Sequence, residues 1–566
     1  MIDLDALKKI GAANPLDREK GRYQLPPVSR SRELDRILAL PRHEGYSAEA
    51  RAELQTALAR PEGKMRLKEA QANALLAALE GGPDGCAVVG ALPVGEGKTL
   101  LAALLPTVLE RPRALILTSA SLLPQLRALI DEYRAHFYIR DDLLFESYAI
   151  LSRPESTDLL SRLAPTLIIA DEAHALRNAQ SARGKRFWRF MAKEAGALFC
   201  PLSGTLTKKS ILDQAPMLRR ALRDWAPVPR DYPTLKEWAE ALDPDGVRPP
   251  GALMQLPGDA GDDARTRYAR RLRETRGVIV PQGEALGASL VIEVLEPPPS
   301  PAIDAARAEL ARTWARPDGA ELTTALEIAE VDRQLRLGGS YVWERPPDVA
   351  WLRARTTATR ATREWLRNHN REGCDSPALL ADAVLDGRED VPEIAAWYTG
   401  RFDQILPPPK VWRWIDDGAH ANWIASLVRT DPPCVCFCGV VAVGKHIAQV
   451  ARAPYYGEGP AAARAVLDER GTRSIVCSLD AHHKGRNFQA WSRAVVVDFP
   501  PSADTAEQLL GRLHRFGQDA DEVRFQCFST HGAELLAAIN GARFLGATTG
   551  QQQKLEIASV LWPAST

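Results

Sequence analysis

Two kinds of pattern alternate along the chain. Short, nearly continuous apolar runs read as strands buried on both faces, and longer stretches with apolar residues at helical spacing read as the helices between them. In the first half the strand-like runs are Cys86-Ala87-Val88-Val89, Ala114-Leu115-Ile116-Leu117, Thr166-Leu167-Ile168-Ile169-Ala170 and Ala197-Leu198-Phe199-Cys200-Pro201-Leu202. A second series consists of Cys434-Val435-Cys436-Phe437-Cys438, Ser474-Ile475-Val476-Cys477-Ser478 and Ala494-Val495-Val496-Val497-Asp498. This alternation predicts α/β architecture with doubly wound parallel sheets, whose ligands gather at the carboxyl ends of the strands. Between the two series, residues 301–409 are mostly helical in pattern and are bounded by Pro297-Pro298-Pro299 and Pro407-Pro408-Pro409. The expected organisation is a polar extension 1–63 with weak helical patterning, a first α/β domain 64–300, a helical insert 301–409, a second α/β domain 410–545 and a tail 546–566.

Composition adds little to this picture but excludes some alternatives. At 566 residues the chain exceeds what one core supports. Lys+Arg and Asp+Glu both number 72, so a polyanion must be met by local patches rather than by net charge. No apolar run approaches a membrane span, and the first nine residues lack the apolar core of a leader, so a cytoplasmic setting, bacterial or viral, is expected without membrane contact. Most of the eight cysteines fall inside strand-like runs, where reduced thiols pack as small hydrophobes.

Candidate chemistry sits at the ends of the strands. Gly90-Ala91-Leu92-Pro93-Val94-Gly95-Glu96-Gly97-Lys98-Thr99 joins a strand to a helix in the manner of a phosphate-binding loop, although Leu92 stands where the usual pattern has its first glycine. Gly95, Glu96 and Gly97 would shape the loop, Lys98 would reach the β- and γ-phosphates of ATP, and Thr99 would hold Mg²⁺. Gln71, one helix and one strand earlier, stands where a side-chain amide could read the adenine edge. Asp171 and Glu172 end the third run: Asp171 suits Mg²⁺ and Glu172 suits activation of the attacking water. Ser119 and Ser121, at the end of the second run, could hold nucleic-acid phosphates or cap the next helix. Ser203-Gly204-Thr205 follows the fourth run.

Taken together, Gln71, the glycine loop, Ser121-Leu122-Leu123-Pro124-Gln125, Asp171-Glu172-Ala173-His174-Ala175-Leu176-Arg177-Asn178 and Ser203-Gly204-Thr205 resemble the first motor half of helicase superfamily two. The Asp-Glu-Ala-His box with its Leu-Arg-Asn extension is similar to that of the Swi/Snf-type DNA translocases. In the second half, the segment from Ser478 to Phe488 resembles the family's fifth motif, except that His482-His483 replace two glycines. Gln508-Leu509-Leu510-Gly511-Arg512-Leu513-His514-Arg515-Phe516-Gly517-Gln518 resembles the sixth. The resemblance implies two tandem RecA-like domains that close on ATP and Mg²⁺. Arg512 and Arg515, expected on one helical face, would act on the γ-phosphate; His174, Ser203, Gly204, Thr205, Gly485 and Gln508 would couple the nucleotide to nucleic acid, and Asn487 would contact it.

The implied function is an ATP-dependent translocase on duplex DNA. The alternatives are a strand-separating helicase and, from another class, an ATP-switched adaptor that clamps DNA or RNA polymerase without travelling. Two arginine-rich segments remain. Arg265 to Arg276 fits either a phosphate-binding helix or a structural brace; Arg353, Arg355, Arg360, Arg363 and Arg367 interleave with Trp351 and Trp365, aromatics that either stack on unpaired bases or pack a small core. A protein partner, if present, would be recruited by the insert or the N-terminal extension.

Overall fold

The computed structural model describes residues 25–43, 45–80, 89–90, 97–120, 122–203, 210–280, 288–322, 324–483, 487–515 and 517–563. The first lobe is built on strands β1 (Val89–Gly90), β2 (Ala114–Thr118), β3 (Leu144–Ser147), β4 (Leu167–Asp171), β5 (Leu198–Leu202) and β6 (Val278–Ile279). They form one parallel sheet in the order β3-β2-β4-β5-β1-β6. Leu115, Leu117, Ile168, Ala170 and Phe199 face one apolar core, while Ala114, Ile116, Leu167, Ile169, Leu198 and Cys200 face another. Both faces of the sheet are covered, which is why these strands read as unbroken apolar runs. The register pairs Asp171 with Leu202 and Leu117 with Ala170, so Thr118, Asp171 and Ser203 emerge at the same carboxyl edge.

Part of the expected polar extension belongs to this lobe. Helix Arg32–Ala39, capped by Ser31, sends Leu34 and Ile37 into the core, and helix Ala48–Leu58 sends in Leu54 and Leu58 on the other side. The basic helix Ala264–Arg273 locks the first of them: the Arg271 guanidinium donates to the carbonyls of Ile37 (3.0 Å) and Leu40 (2.9 Å). Arg265, Arg267 and Arg270 likewise spend their donors on Leu242, Leu256 and Asp259, so this segment is a brace.

Strand β7 (Ser289–Leu295) departs from the expected boundary. It lies inside the range 64–300, yet it is hydrogen-bonded into the second lobe, and the crossing between lobes falls between Ile279 and Ser289. After a hairpin of β8 (Gly339–Trp343) and β9 (Lys410–Trp414), that lobe continues with β10 (Cys434–Cys438), β11 (Tyr455–Tyr456), β12 (Ile475–Ser478), β13 (Arg493–Val496), β14 (Glu522–Phe528) and β15 (Ser559–Leu561). The second sheet is also parallel, in the order β11-β12-β10-β13-β14-β7-β15. The expected tail is therefore part of the lobe: helix Gly532–Thr549 and Leu555 pack against it, and β15 closes its edge. The reason is the same at both places. A strand joins the sheet that offers it a partner, and the partners of β7 are β14 and β15, hundreds of residues away. Cys434, Cys436 and Cys438 point together into an apolar core, and among the described residues no group of three or more His, Cys, Asp or Glu could hold a metal. No described helix is long and apolar enough to cross a membrane.

The insert is divided between the lobes. Helix Ala325–Arg336 is pinned to the second by Arg333 on Asp498 and by Arg336 on Glu534 (2.7 Å). Helices Val349–Asn368, Pro377–Leu385 and Pro392–Thr399 share a small core of Leu380, Val384 and Ile394 with Trp365 against it. This half docks on the first lobe, where Arg186 of helix Ala182–Lys193 meets Asp375 at 2.7 Å, with both side chains at least 98% excluded from solvent (2% and 0% exposed). Removing either partner would strand the other's charge in the interior.

Candidate nucleotide cleft

The carboxyl edge of the first sheet faces the second lobe across a cleft of about 440 Å³. Gly97, Lys98, Thr99, Ser119, Asp171, Glu172 and His174 line it from one side, and Asn487, Gln508, Arg512 and Arg515 from the other.

Gly97 caps helix Lys98–Val108 at φ +74°, in the left-handed region. A Cβ there would also lie 2.1 Å from Gln71 Nε2, so a larger residue would be strained at this φ and would displace the Gln71 amide. Gln71 is buried beside Gly97: its Nε2 donates to the Gly97 carbonyl at 3.4 Å and its Oε1 accepts from the Lys68 amide at 2.9 Å. It thus braces Gly97 at the start of the helix. Gly95 and Glu96 lie outside the described residues.

Asp171 ends β4, accepting a hydrogen bond from Thr118 Oγ1 (3.0 Å), while its carbonyl accepts one from the Tyr148 hydroxyl (2.8 Å). Glu172 then turns sharply, at φ +58°, a conformation uncommon for a side-chain-bearing residue. Its carboxylate lies between Lys98 Nζ at 2.9 Å and His174 Nδ1 at 3.3 Å. Burial would raise the Glu172 pKa, but the Lys98 ammonium and His174 pull it below the usual carboxylate range. Asp171 goes the other way: burial, then the charge of Glu172, pushes it above the usual carboxylate range. Adjacent carboxyls are thereby split in proton affinity. His174 Nδ1 also lies 3.4 Å from Ser203 Oγ, extending the chain of contacts from Lys98 to the turn after β5; Gly204 and Thr205 lie outside the described residues.

From the second lobe, helix Ala503–Leu510 ends before the arginines. Arg512 and Arg515 therefore stand on the turns that continue the helix, with Arg512 N bonded to the Leu509 carbonyl, rather than on a shared helical face. Both still reach the cleft. Arg512 Nε donates to the Gln508 carbonyl (3.0 Å). Burial lowers the Arg515 pKa, and its buried Nε, like the Gln508 Oε1, has no hydrogen-bond partner among the described residues. Ser119 and Asn487, expected on nucleic acid, line this same cleft, whereas Ser121 and Gly485 lie outside the described residues. His482, in the place of a family glycine, hydrogen-bonds the Gly457 carbonyl through Nε2 (2.9 Å).

Three groups of contributors had no role assigned from sequence. Thr118, at the end of the neighbouring strand β2, and Tyr148, just after β3, hold Asp171 and carry no motif. Leu122, Leu126, Leu129 and Tyr133 supply an apolar wall, and their spacing of three and four residues was visible as one helical stripe. Arg177, three residues after His174, forms an ion pair with Asp504 of the opposite lobe, both nearly buried.

No family model matches the chain. Over 126 residues it is 31% identical to RNA polymerase-associated protein RapA of Pectobacterium atrosepticum, covering 20% of this chain and 13% of that one. RapA of Erwinia tasmaniensis is 30% identical over 167 residues, covering 25% and 16%. The matched segment thus spans less than a fifth of either relative. Among solved structures, Mycobacterium smegmatis helicase Lhr bound to ssDNA and AMP-PNP superposes with a TM-score of 0.40 and 13% identity, over 89% of this chain and 50% of that one. The chain thus resembles the RapA relatives over the matched segment, and its architecture is mixed α/β with two parallel sheets.

Proposed function

We propose that the chain is a nucleic-acid-stimulated ATPase that moves along duplex DNA and displaces or remodels what is bound there. One observation carries the reading: a single cleft gathers a lysine and two carboxyls from one lobe and two arginines from the other. Among the described residues lining the cleft, the carboxylates come from the first lobe, and Arg515, whose Nε has no partner there, comes from the second.

The residues fit ATP with its metal. The positive helix end at Gly97 and Lys98 suits the phosphates, and the apolar wall suits the base. Thr99 and Asp171 are the residues that would hold Mg²⁺, which would neutralise phosphate charge when bound. Without nucleotide, Lys98 occupies Glu172 and keeps it a weak base. Phosphates compete for the ammonium; as Lys98 turns to them, Glu172 regains proton affinity and can accept a proton from water. Arg515, desolvated and unpaired, then meets the charge spreading onto the γ-phosphate oxygens. Product loss reverses each exchange, so opening and closing of the cleft follows the hydrolytic cycle.

The names of the RapA relatives favour a second reading, association with RNA polymerase, supported over a small segment only. ATP hydrolysis by the purified chain, measured with duplex DNA, single-stranded DNA, RNA and RNA polymerase as competing stimulators, tests both. Duplex DNA is expected to stimulate most. Stimulation by RNA alone would overturn the track, and the absence of any hydrolysis would overturn the motor.

A further inference from the structure

Helix Val349–Asn368 carries five arginines and one acid, Glu364. Its inner face is settled by packing: Trp351 is 4% exposed and donates its Nε1 proton to the Phe402 carbonyl (3.1 Å), Trp397 lies between Trp351 and Phe402, and Ala361 and Trp365 pack on the small core of the insert. Arg353, Arg360 and Arg367 recur every seven residues on the opposite side, with Arg363 beside them, within about 80° of arc over about 21 Å. All four are exposed, and among the described residues none has an ion pair or a side-chain hydrogen bond. Helix Ala264–Arg273 is the instructive contrast, since its arginines are consumed by carbonyls and carboxylates. Like charges three, four and seven residues apart weaken a helix unless a counter-charge covers them.

We propose that this stripe binds the phosphate backbone of duplex DNA, apart from the motor cleft; the proposal rests on the DNA-tracking reading above. The charge calls for a polyanion. Trp351 is buried, and Trp365 is half-buried against the small core and stacked on His369, which leaves little of the stacking surface that unpaired bases would need and favours a duplex over a single strand. Threonines 356 and 359, rather than apolar side chains, lie alongside the arginines, so the stripe lacks the apolar centre of a protein interface. The helix is also fixed to the motor. Lys185, on the helix that follows the acidic box, donates to the carbonyls of Leu366 and His369 (2.6 Å for the latter) at its C-terminal end. DNA held on the stripe is therefore tied to the first lobe.

The test is the salt dependence of duplex binding by the full chain, measured by fluorescence anisotropy without nucleotide. Replacing Arg353, Arg360, Arg363 and Arg367 together by Gln is expected to raise Kd at least about tenfold near 100 mM salt and to lower the slope of log K against log salt by about 3 to 4. Hydrolysis without DNA should be unchanged, and the fourfold Lys replacement should keep the parental slope. A parental slope in the Gln variant, or equal loss in the Gln and Lys variants, overturns the stripe. Competition by polyglutamate as effective as by duplex would give the surface to an acidic protein instead. A parent that neither binds duplex nor hydrolyses ATP in response to it overturns the functional reading as well, whereas a duplex-stimulated parent with an unaffected Gln variant removes the stripe alone.

Discussion

The two lobes bring their halves of the cleft to opposite states of completion. In the first, polar groups are satisfied internally: Lys98 on Glu172, Asp171 on Thr118, and His174 on both Glu172 and Ser203. In the second, Arg515 Nε and Gln508 Oε1 are buried without partners among the described residues. Arg515 itself is half-buried and lines the cleft, so its guanidinium remains open to an anion while its Nε goes without a partner among the described residues. The first lobe thus has its polar groups paired with one another, while the second presents a cation to the cleft.

The largest effect should come from removing that cation. Arg515→Ala is expected to lower kcat by about 10³ to 10⁵ while ATP affinity stays near the parental value. Because a desolvated cation disappears, Tm should hold or rise. Equilibrium nucleotide binding, single-turnover hydrolysis and thermal melting read the three; a variant with parental turnover and a lower Tm would make Arg515 structural and erase the contrast. Next, Glu172→Gln should reduce turnover by about 10² to 10⁴ and trap bound ATP, since Lys98 loses its competing partner as the base is lost. Weaker ATP binding in that variant would count against the resting pair.

Smaller is the effect expected at the bridge between lobes. Arg177→Ala and Asp504→Ala should each reduce kcat by about tenfold with little change in KM, and exchanging the two charges should restore much of the loss. A coupling of about 0.5–3 kcal/mol from the double-mutant cycle is the measure, and additivity would mean that the pair does not align the lobes. The smallest effect is on acid stability of the second lobe. Burial, with Arg336 nearby, lowers the His531 pKa to about 3. The ring is neutral in the fold but takes a proton on unfolding, so its contribution is complete above about pH 6.5 and is lost as pH falls towards 3. Denaturant melts at pH 7 and pH 4.5 should show a smaller acid loss in His531→Gln than in the parent; equal losses would assign the sensitivity elsewhere.

Much of this was readable beforehand. The apolar runs gave the strands because a sheet covered on both faces leaves no polar alternation to mistake for anything else. The glycine-lysine segment, the acidic pair and the arginine pair stood out because phosphate chemistry demands particular residue types at fixed local spacing, and Lys98, Asp171, Glu172, Arg512 and Arg515 do meet at one cleft. Less was readable where the deciding contact is remote. Gln71 stood out as a candidate base reader, and its contact with the Gly97 carbonyl, 26 residues away, is one no local spacing rule contains. The interleaved arginines and tryptophans of the insert were ambiguous until packing sent one set inward and left the other outside.

Sequence by itself determined the local units: which runs are strands, where the loops turn, and which side chains can handle phosphate. Tertiary structure alone decided the assignment of those units to lobes, because β7 and β15 obey hydrogen-bond partners hundreds of residues distant rather than their neighbours. It also decided the state of each charge. Lys98 is paired and Arg515 is not, and no spacing rule contains that, since burial and pairing are properties of a site assembled from both halves of the chain.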